Sequence, residues 1–506
     1  MAYLLGIDIG TSGTKTVLFD NAGNAVASST KEYPLYQPQI GWAEQDPLDW
    51  WHAVCETIKE VIYKKNIMPQ DIKGIGLSGQ MHGLVMLDKE GNVIRKSIIW
   101  CDQRTEKECT EITQRVGAER LMQITANPAL TGFTASKILW VRNNEPDNYE
   151  KCRKILLPKD YIRYMLTGEF ATEVSDASGM QLLDISERKW SSEVLEKLEI
   201  PREYLADVYE SVVVTGKVNK KAAQATGLMI DTPVVGGAGD QAAGGIGNGI
   251  IKEGLVSTMI GTSGVVFAHL DRPMIDSAGR VHTFCHAVPG AWHVMGVTQG
   301  AGLSLKWFRD NFCIGEMGVA KFMNIDPYVL MTKQAECSPA GSRGIIYLPY
   351  LMGERSPHLN PKAKGVFFGI TASHTKNDML RAVLEGVSYS LADCMDIIKG
   401  MGITPNQVMA SGGGGKSKLW RQIQADMFNS TICTNKSSEG GALGVALLAG
   451  VGAGIYKNIN EACEIAINVE AEQNPIEMNV QTYSKYHKLY QKLYIDLKDS
   501  FELFEQ

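Results

Sequence analysis

The sequence is short of several things, and each shortage excludes a class of protein. Charge of one sign is not in excess: 50 basic against 56 acidic residues leave a net −6. That balance offers no basic footprint for nucleic acid or for an anionic membrane surface. The ten cysteines contain no CxxC pair and no dense small-domain framework, so a zinc ribbon or a disulfide scaffold is not expected. A reducing cytoplasm suits them. The opening Met1-Ala2-Tyr3-Leu4-Leu5-Gly6 has no basic segment and meets Asp8 at once, unlike a secretory signal. The longest uncharged stretch, Val281 to Leu305, is interrupted by three histidines, a proline and several glycines. It is not expected to cross a bilayer as an apolar helix.

What is present is ordinary globular material with one excess. Hydrophobic residues are 44% and charged residues 21%, enough for a sizeable core. The 506 residues correspond to two large domains or three at roughly 150 residues each. Glycine is the outlier, 51 residues, above the usual share of about 7%. Much of it falls in Gly10 to Gly13, Gly236 to Gly249, Gly261 to Gly264 and Gly412 to Gly415. Such turns let backbone come close to a phosphate, a sugar or a hinge.

The local pattern is α/β. Leu4 to Ile9 reads as a strand, Gly10 to Gly13 as a turn and Lys15 to Phe19 as a return strand. A hairpin at this point differs from a Rossmann or P-loop opening, where a helix follows the first strand. Asp46 and Pro47 start a helix in which Trp50, Val54, Ile58 and Val61 recur at helical spacing. Lys73 to Leu77 and Leu84 to Leu87 read as strands, and Gly132 to Asn144, Lys159 to Leu166 and Leu380 to Ile398 as helices. Ile9-Gly10-Thr11-Ser12-Gly13 recurs letter for letter as Ile260-Gly261-Thr262-Ser263-Gly264, half the chain later. A duplicated hairpin would supply two glycine turns, whose N–H groups and hydroxyls suit a polyphosphate.

Four places could carry chemistry. Asp8, in the middle of an apolar strand, is costly to bury unless paired, bonded or near a cation. It reads either as an Mg²⁺-linked carboxylate or as an acceptor for the turn amides. Asp240 follows a strand ending in Gly236-Gly237-Ala238-Gly239 and reads as a proton acceptor or as the N-cap of the next helix. Gly412-Gly413-Gly414-Gly415-Lys416-Ser417 stands between a strand and a helix and reads as a ligand-approach loop, without Walker A spacing. His282, Cys285, His286 and His293 lie on an expected hairpin, Val281 to Val288 and Trp292 to Val297. Cys285 would point away from His282 and His286, which breaks a zinc set. Met81-His82 reads as a plain loop or as a sugar contact.

Longer motifs point to a family. Gly6 to Gly13, Trp42-Ala43-Glu44-Gln45-Asp46-Pro47, Gly79-Gln80-Met81-His82-Gly83, Leu157-Pro158-Lys159-Asp160-Tyr161, Gly132 to Val141 and Gly365 to Ile370 resemble the FGGY carbohydrate kinases, and within them the kinases of D-xylulose. The resemblance runs from about residue 3 to about residue 450. It implies the duplicated actin/hexokinase/Hsp70-like ATPase fold, with one domain over residues 1–248 and a second over 249–506. It implies ATP-dependent phosphorylation of D-xylulose at O5, with Asp240 as general base and Asp8 at the Mg²⁺-linked phosphates. Met81, His82, Gln241, Trp100, Asp102 and Arg104 would serve the sugar. Thr11, Ser12, Lys15, Thr262, Gly413, Gly414 and Gly415 would serve ATP. Gln241 stands where several xylulose kinases have Asn and glycerol kinases have Gln, so ribulose or glycerol remain alternatives. An actin- or Hsp70-like ATPase without kinase activity is the alternative from another class. The expected setting is cytoplasmic, with sugar and ATP as partners, no nucleic acid and no membrane. The resemblance is compatible with a homodimer.

Overall fold

A computed structural model describes residues 2–437 and 439–504. It divides into two compact units. The first holds the chain up to Ile251 together with His269–His293 and Glu439–Asn468. The second holds Lys252–Ala268, the stretch from Val294 to just before Glu439, and the described residues from Val469 onward.

In the first unit Tyr3–Ile9 pairs antiparallel with Gly13–Asp20 and parallel with Ile72–Gly79. The sheet runs Val214–Lys217, Pro233–Val235, Ile72–Gly79, Tyr3–Ile9, Gly13–Asp20, Ala25–Glu32. The helix Pro47–Lys64 starts as its sequence requires: Asp46 accepts the Leu48 N–H and Pro47 fills the first position. Trp50, Val54, Ile58 and Val61 are fully buried with Leu5, Ile7 and Leu18, each such side chain contributing roughly 1.5–3 kcal/mol. The helix Gly440–Gly452 lies against the sheet's other face with almost no side chain between. A Cβ on Gly6 would stand 2.0 Å from the Ala442 carbonyl oxygen, and one on Gly76 1.9 Å from that of Val445. Here the glycine excess serves backbone-to-backbone packing. Gly247, in the stretch expected to approach a ligand or hinge, does the same: its Cβ would lie 1.8 Å from the Gly440 oxygen.

The second unit repeats the plan. Leu255–Ile260 pairs antiparallel with Gly264–Leu270 and parallel with Gln407–Ser411, which pairs parallel with Ile432–Asn435. Trp292–Thr298 lies beside Gly264–Leu270, so each unit has the same order of five strands around its hairpin. Val469–Gln473 adds an antiparallel edge. The described residues from Val469 onward, outside every motif, complete this unit. The helix Glu477–Phe501 buries Tyr483, Tyr490, Leu493 and Phe501. Tyr483 Oη donates to Glu385 at 2.8 Å and accepts from Arg381 at 2.8 Å. No helix among the described residues is long and apolar enough to cross a membrane.

Candidate active site

In the first unit the site grows from the hairpin. Asp8 faces Lys15 across the antiparallel pair and Ser78 across the parallel pair. Among the described residues its Oδ1 is buried without a hydrogen-bond partner. Burial raises its pKa above the carboxylate norm, Ser78 and Lys15 pull it down, and Glu439 adds to the rise. Lys15 Nζ is 2.5 Å from Glu439. Gly441, at the head of the helix Gly440–Gly452, stands where a Cβ would come within 3.6 Å of Asp8 Oδ2 and Ser78 Oγ. The turn is held from several sides. Gln45 Nε2 donates to Thr11 O at 2.7 Å, Trp100 Nε1 to Thr11 Oγ1 at 2.8 Å, and Tyr33 Oη to Gly10 O. Gln80 Nε2 in turn donates to Gln45 Oε1 at 2.7 Å. Ser12 is exposed.

Asp240 follows Ala238–Gly239, a short segment parallel to Ser78–Gly79. It is the first residue of the helix Asp240–Gly247, and Gly239 holds the cap position. The capping reading of Asp240 is therefore corrected. Its Oδ1 accepts the adjacent Gln241 N–H, at 2.8 Å. A cap instead reaches the second or third helical amide. Burial, and then the negative charge of Asp8, push the Asp240 carboxyl up to about 7. Met81 lies against this segment: a Cβ on Gly239 would meet Met81 Cγ at 2.9 Å. His82 adopts φ 71°, uncommon outside glycine. Its Nδ1 donates to Gly179 O at 2.8 Å, and its ring packs 4.8 Å from Phe133. Its carbonyl accepts from Lys137 Nζ at 2.9 Å.

Trp100, Asp102 and Arg104 divide. Trp100 is 41% exposed and touches the turn. Asp102 is sealed, accepting from Ala43 N at 2.6 Å and from the Arg104 guanidinium at 2.7 Å. Arg104 also pairs with Glu44 at 2.8 Å and lies 3.6 Å over the Trp42 ring.

Beneath Asp240 lies a charged cluster that the sequence reading did not single out. Lys159 is fully buried, 2.7 Å from Asp160, 3.3 Å from Glu173 and 3.4 Å from Asp176. Burial opposes its charge, but the three carboxylates outweigh burial and raise its pKa. Glu173 accepts from Ser175 Oγ at 3.0 Å, and that oxygen accepts the Gly239 N–H at 3.1 Å. The only signal in the sequence was Lys159-Asp160 inside an otherwise apolar run.

In the second unit Ile260 joins the other two candidate segments. Gly412 bridges to Ile260 and has φ 73°, and a Cβ on Gly414 would stand 2.6 Å from the Ile260 Cβ. Gly412–Gly415 forms a helical turn, where the sequence suggested a ligand-approach loop. Around Gly413 the nearest atom among the described residues, apart from its chain neighbours, is Ile260 O at 3.8 Å from an added Cβ. Gly415 O accepts from Arg421 at 2.7 Å. Thr262 is exposed, and its carbonyl accepts the Leu303 N–H at 3.1 Å.

The histidine hairpin is occupied by internal bonds. His282 Nδ1 is 2.7 Å from Asn127 Oδ1, and His286 Nε2 donates to Ile250 O at 3.0 Å. Burial pulls His293 down to about 3.

Two family models cover the chain in sequence: the N-terminal domain of the FGGY carbohydrate kinases matches residues 3–247, and the C-terminal domain matches 256–453. The chain belongs to the FGGY family of carbohydrate kinases. It is 38% identical over 499 residues to a xylulose kinase of Bacillus subtilis (strain 168), covering 99% of this chain and 98% of that one. A ligand-bound xylulose kinase from Lactobacillus acidophilus superposes with a TM-score of 0.92 at 30% identity, over 100% of both chains. A gluconate kinase structure from the same organism matches with the same TM-score, identity and coverage. The duplicated α/β fold expected of an FGGY kinase is the fold observed.

Proposed function

We propose that the chain transfers the γ-phosphoryl group of ATP to O5 of D-xylulose. The observation that carries this reading is Asp240, a half-buried carboxyl raised to about 7 at a helix head, with Met81 against the preceding residue and His82 next to it. A carboxylate with that pKa can take a hydroxyl proton near neutral pH. Phosphoryl transfer needs little else of the protein beyond positioning and charge neutralisation. Similarity to xylulose kinases over almost the whole chain supports the substrate.

In this reading Met81, His82, Gln241 and Trp100 contact the sugar, while Asp102 and Arg104 act from behind as positioning residues because both are sealed from solvent. Thr11, Ser12 and Lys15, with Thr262 and Gly413 to Gly415, serve the nucleotide. The first domain, residues 1–248, supplies the base and the sugar contacts, and the second, 249–506, holds ATP. A buried carboxylate oxygen with no partner among the described residues, as Asp8 Oδ1 is, fits an Mg²⁺ ion held directly or through water. The ion would neutralise phosphate charge. Ten cysteines without a disulfide support a reducing cytoplasm as the setting.

The test is ADP release across D-xylulose, D-ribulose, glycerol and D-gluconate. D-xylulose should give the highest kcat/KM, and Asp240→Asn should lower it by about a thousandfold with ATP binding nearly intact. Retention of a tenth of the activity would exclude Asp240 as the base. The gluconate kinase likeness makes gluconate the second reading, and preferred turnover of gluconate would replace xylulose with it.

A further inference from the structure

Arg355, in the second unit, is a cation without a counterion. Its guanidinium has no ion pair and no hydrogen bond among the described residues. Glu354, its neighbour in sequence, does not pair with it. The Glu354 carboxylate is taken up by Thr298 Oγ1 at 2.6 Å, Gln299 N at 2.9 Å, Ser390 Oγ at 3.1 Å and the Arg355 backbone N–H at 2.7 Å. Burial alone pulls the guanidinium down to about 10, with no carboxylate acting against it. Yet the residue stays partly open to solvent. The other arginines of this neighbourhood are partnered: Arg381 by Glu385 and Tyr483, Arg421 by Gly415 O. A desolvated cation kept without a partner is costly to a fold, and its usual compensation is a ligand.

The backbone around Arg355 is rigid and leads to the second glycine turn. Ser356 N donates to Val297 O at 2.9 Å, and Val297 N returns a bond to Ser356 Oγ at 3.1 Å. Leu359 N closes onto Arg355 O at 2.7 Å. The strand end that Glu354 and Ser356 clamp, Val297 to Gln299, touches the hairpin: a Cβ on Gly264 would lie 2.7 Å from Thr298 Cγ2. Three residues on, Gly302 N donates to Gly261 O at 2.8 Å and Leu303 N to Thr262 O at 3.1 Å. Arg355 is thus fixed to the same structural block as Thr262.

We infer that the Arg355 guanidinium is an anion-binding group of the reaction, taking phosphoryl oxygens near the Gly261–Gly264 turn. This rests on the kinase reading above. A guanidinium fork matches two oxygens of a phosphoryl group, and a desolvated one binds them more strongly. The phosphoryl group has two sources, the γ-phosphate of ATP or the phosphate of the sugar product, and the same residue can follow it from one to the other.

The experiment compares wild type, Arg355→Met and Arg355→Lys in kcat, in ATP, ADP and sugar-phosphate affinity by calorimetry, and in Tm without ligand. Wild-type ATP-dependent sugar phosphorylation is the control; its absence would remove the kinase reading and this inference with it, whereas an effect confined to the variants bears on Arg355 alone. With that control in place, Arg355→Met should lower kcat by about a hundredfold or more and leave the unliganded Tm equal or higher. Arg355→Lys should recover only part of the rate, because the charge returns without the fork. Weaker ATP with unchanged ADP affinity would assign the contact to the γ-phosphate. Weaker sugar-phosphate affinity with unchanged ATP affinity would assign it to the product. Full activity in Arg355→Met overturns the inference. So does a loss of activity that tracks a lower Tm in both variants, since a structural arginine behaves that way.

Discussion

The two copies of Ile-Gly-Thr-Ser-Gly have the same letters and the same strand order around them, yet they close differently. In the first, Ile9 pairs with Thr14, leaving four residues in the turn. In the second, Ile260 pairs with Gly264, leaving three. The Gly10 N–H accordingly reaches Gly13 O at 3.1 Å, whereas the Gly261 N–H reaches Ser263 O at 2.9 Å. The cause is non-local. Tyr33 and Gln45 hold the carbonyls of the first turn; Gly302 and Leu303 hold those of the second. Side chains diverge as well. Asp8 precedes the first copy where Met259 precedes the second, and Lys15 follows where Val266 follows. One backbone plan is thus used once with charge and once without.

The sharpest way to break this comparison is to exchange its charged positions. Asp8→Asn should lower kcat by about a hundredfold or more, whereas Met259→Leu should leave steady-state rates within about twofold. Equal effects would mean that Asp8 is only a strand residue. A loss of comparable size in stability is expected under the first hairpin. Lys159→Met leaves Asp160, Glu173 and Asp176 without their buried cation and should cost about 3 kcal/mol, read as a lower urea midpoint. Under the second hairpin Val256, Ile260 and Val408 are buried apolar residues.

A smaller effect separates the glycines. Gly414→Ala puts a methyl against Ile260 and should raise the KM for ATP several-fold with little change in the KM for sugar. Gly10→Ala meets only Gly13 O, at 3.2 Å, and should change Tm by no more than a few degrees. The smallest is a pH shift. Asp240 acts as base only when ionised, so kcat/KM should rise with pH to a plateau, with a midpoint near 7. Asp8 contributes to that high value, so the residual activity of Asp8→Asn should show its midpoint at lower pH. An unmoved midpoint would mean that the two carboxylates do not sense each other. The same raised pKa stabilises the fold below about 4, and this stabilisation is lost as pH rises through about 7.

Much of the molecule was legible before folding. The strand–turn–strand opening, the Asp46–Pro47 helix start and the apolar spacing of Trp50, Val54, Ile58 and Val61 depend on local rules of capping, turn chemistry and periodicity, and these operate within a few residues. The half-chain echo announced the duplicated plan, and the ordered motifs announced the family. Other features required distant segments to meet. Asp240 read as a proton acceptor or as a cap, and the cap reading fell because Gly239 holds that place. Gly6 and Gly76 serve a helix more than 360 residues away in sequence. Lys159 became a buried counterion only when Glu173 and Asp176 arrived, and Arg355 remained alone because Glu354 was claimed by Thr298 and Gln299. Sequence alone determined which backbone shapes and which chemical groups this protein possesses. Tertiary structure decided which charges are paired, which are stranded and how identical turns close, because desolvation and hydrogen-bond partnership depend on contacts that no local pattern records.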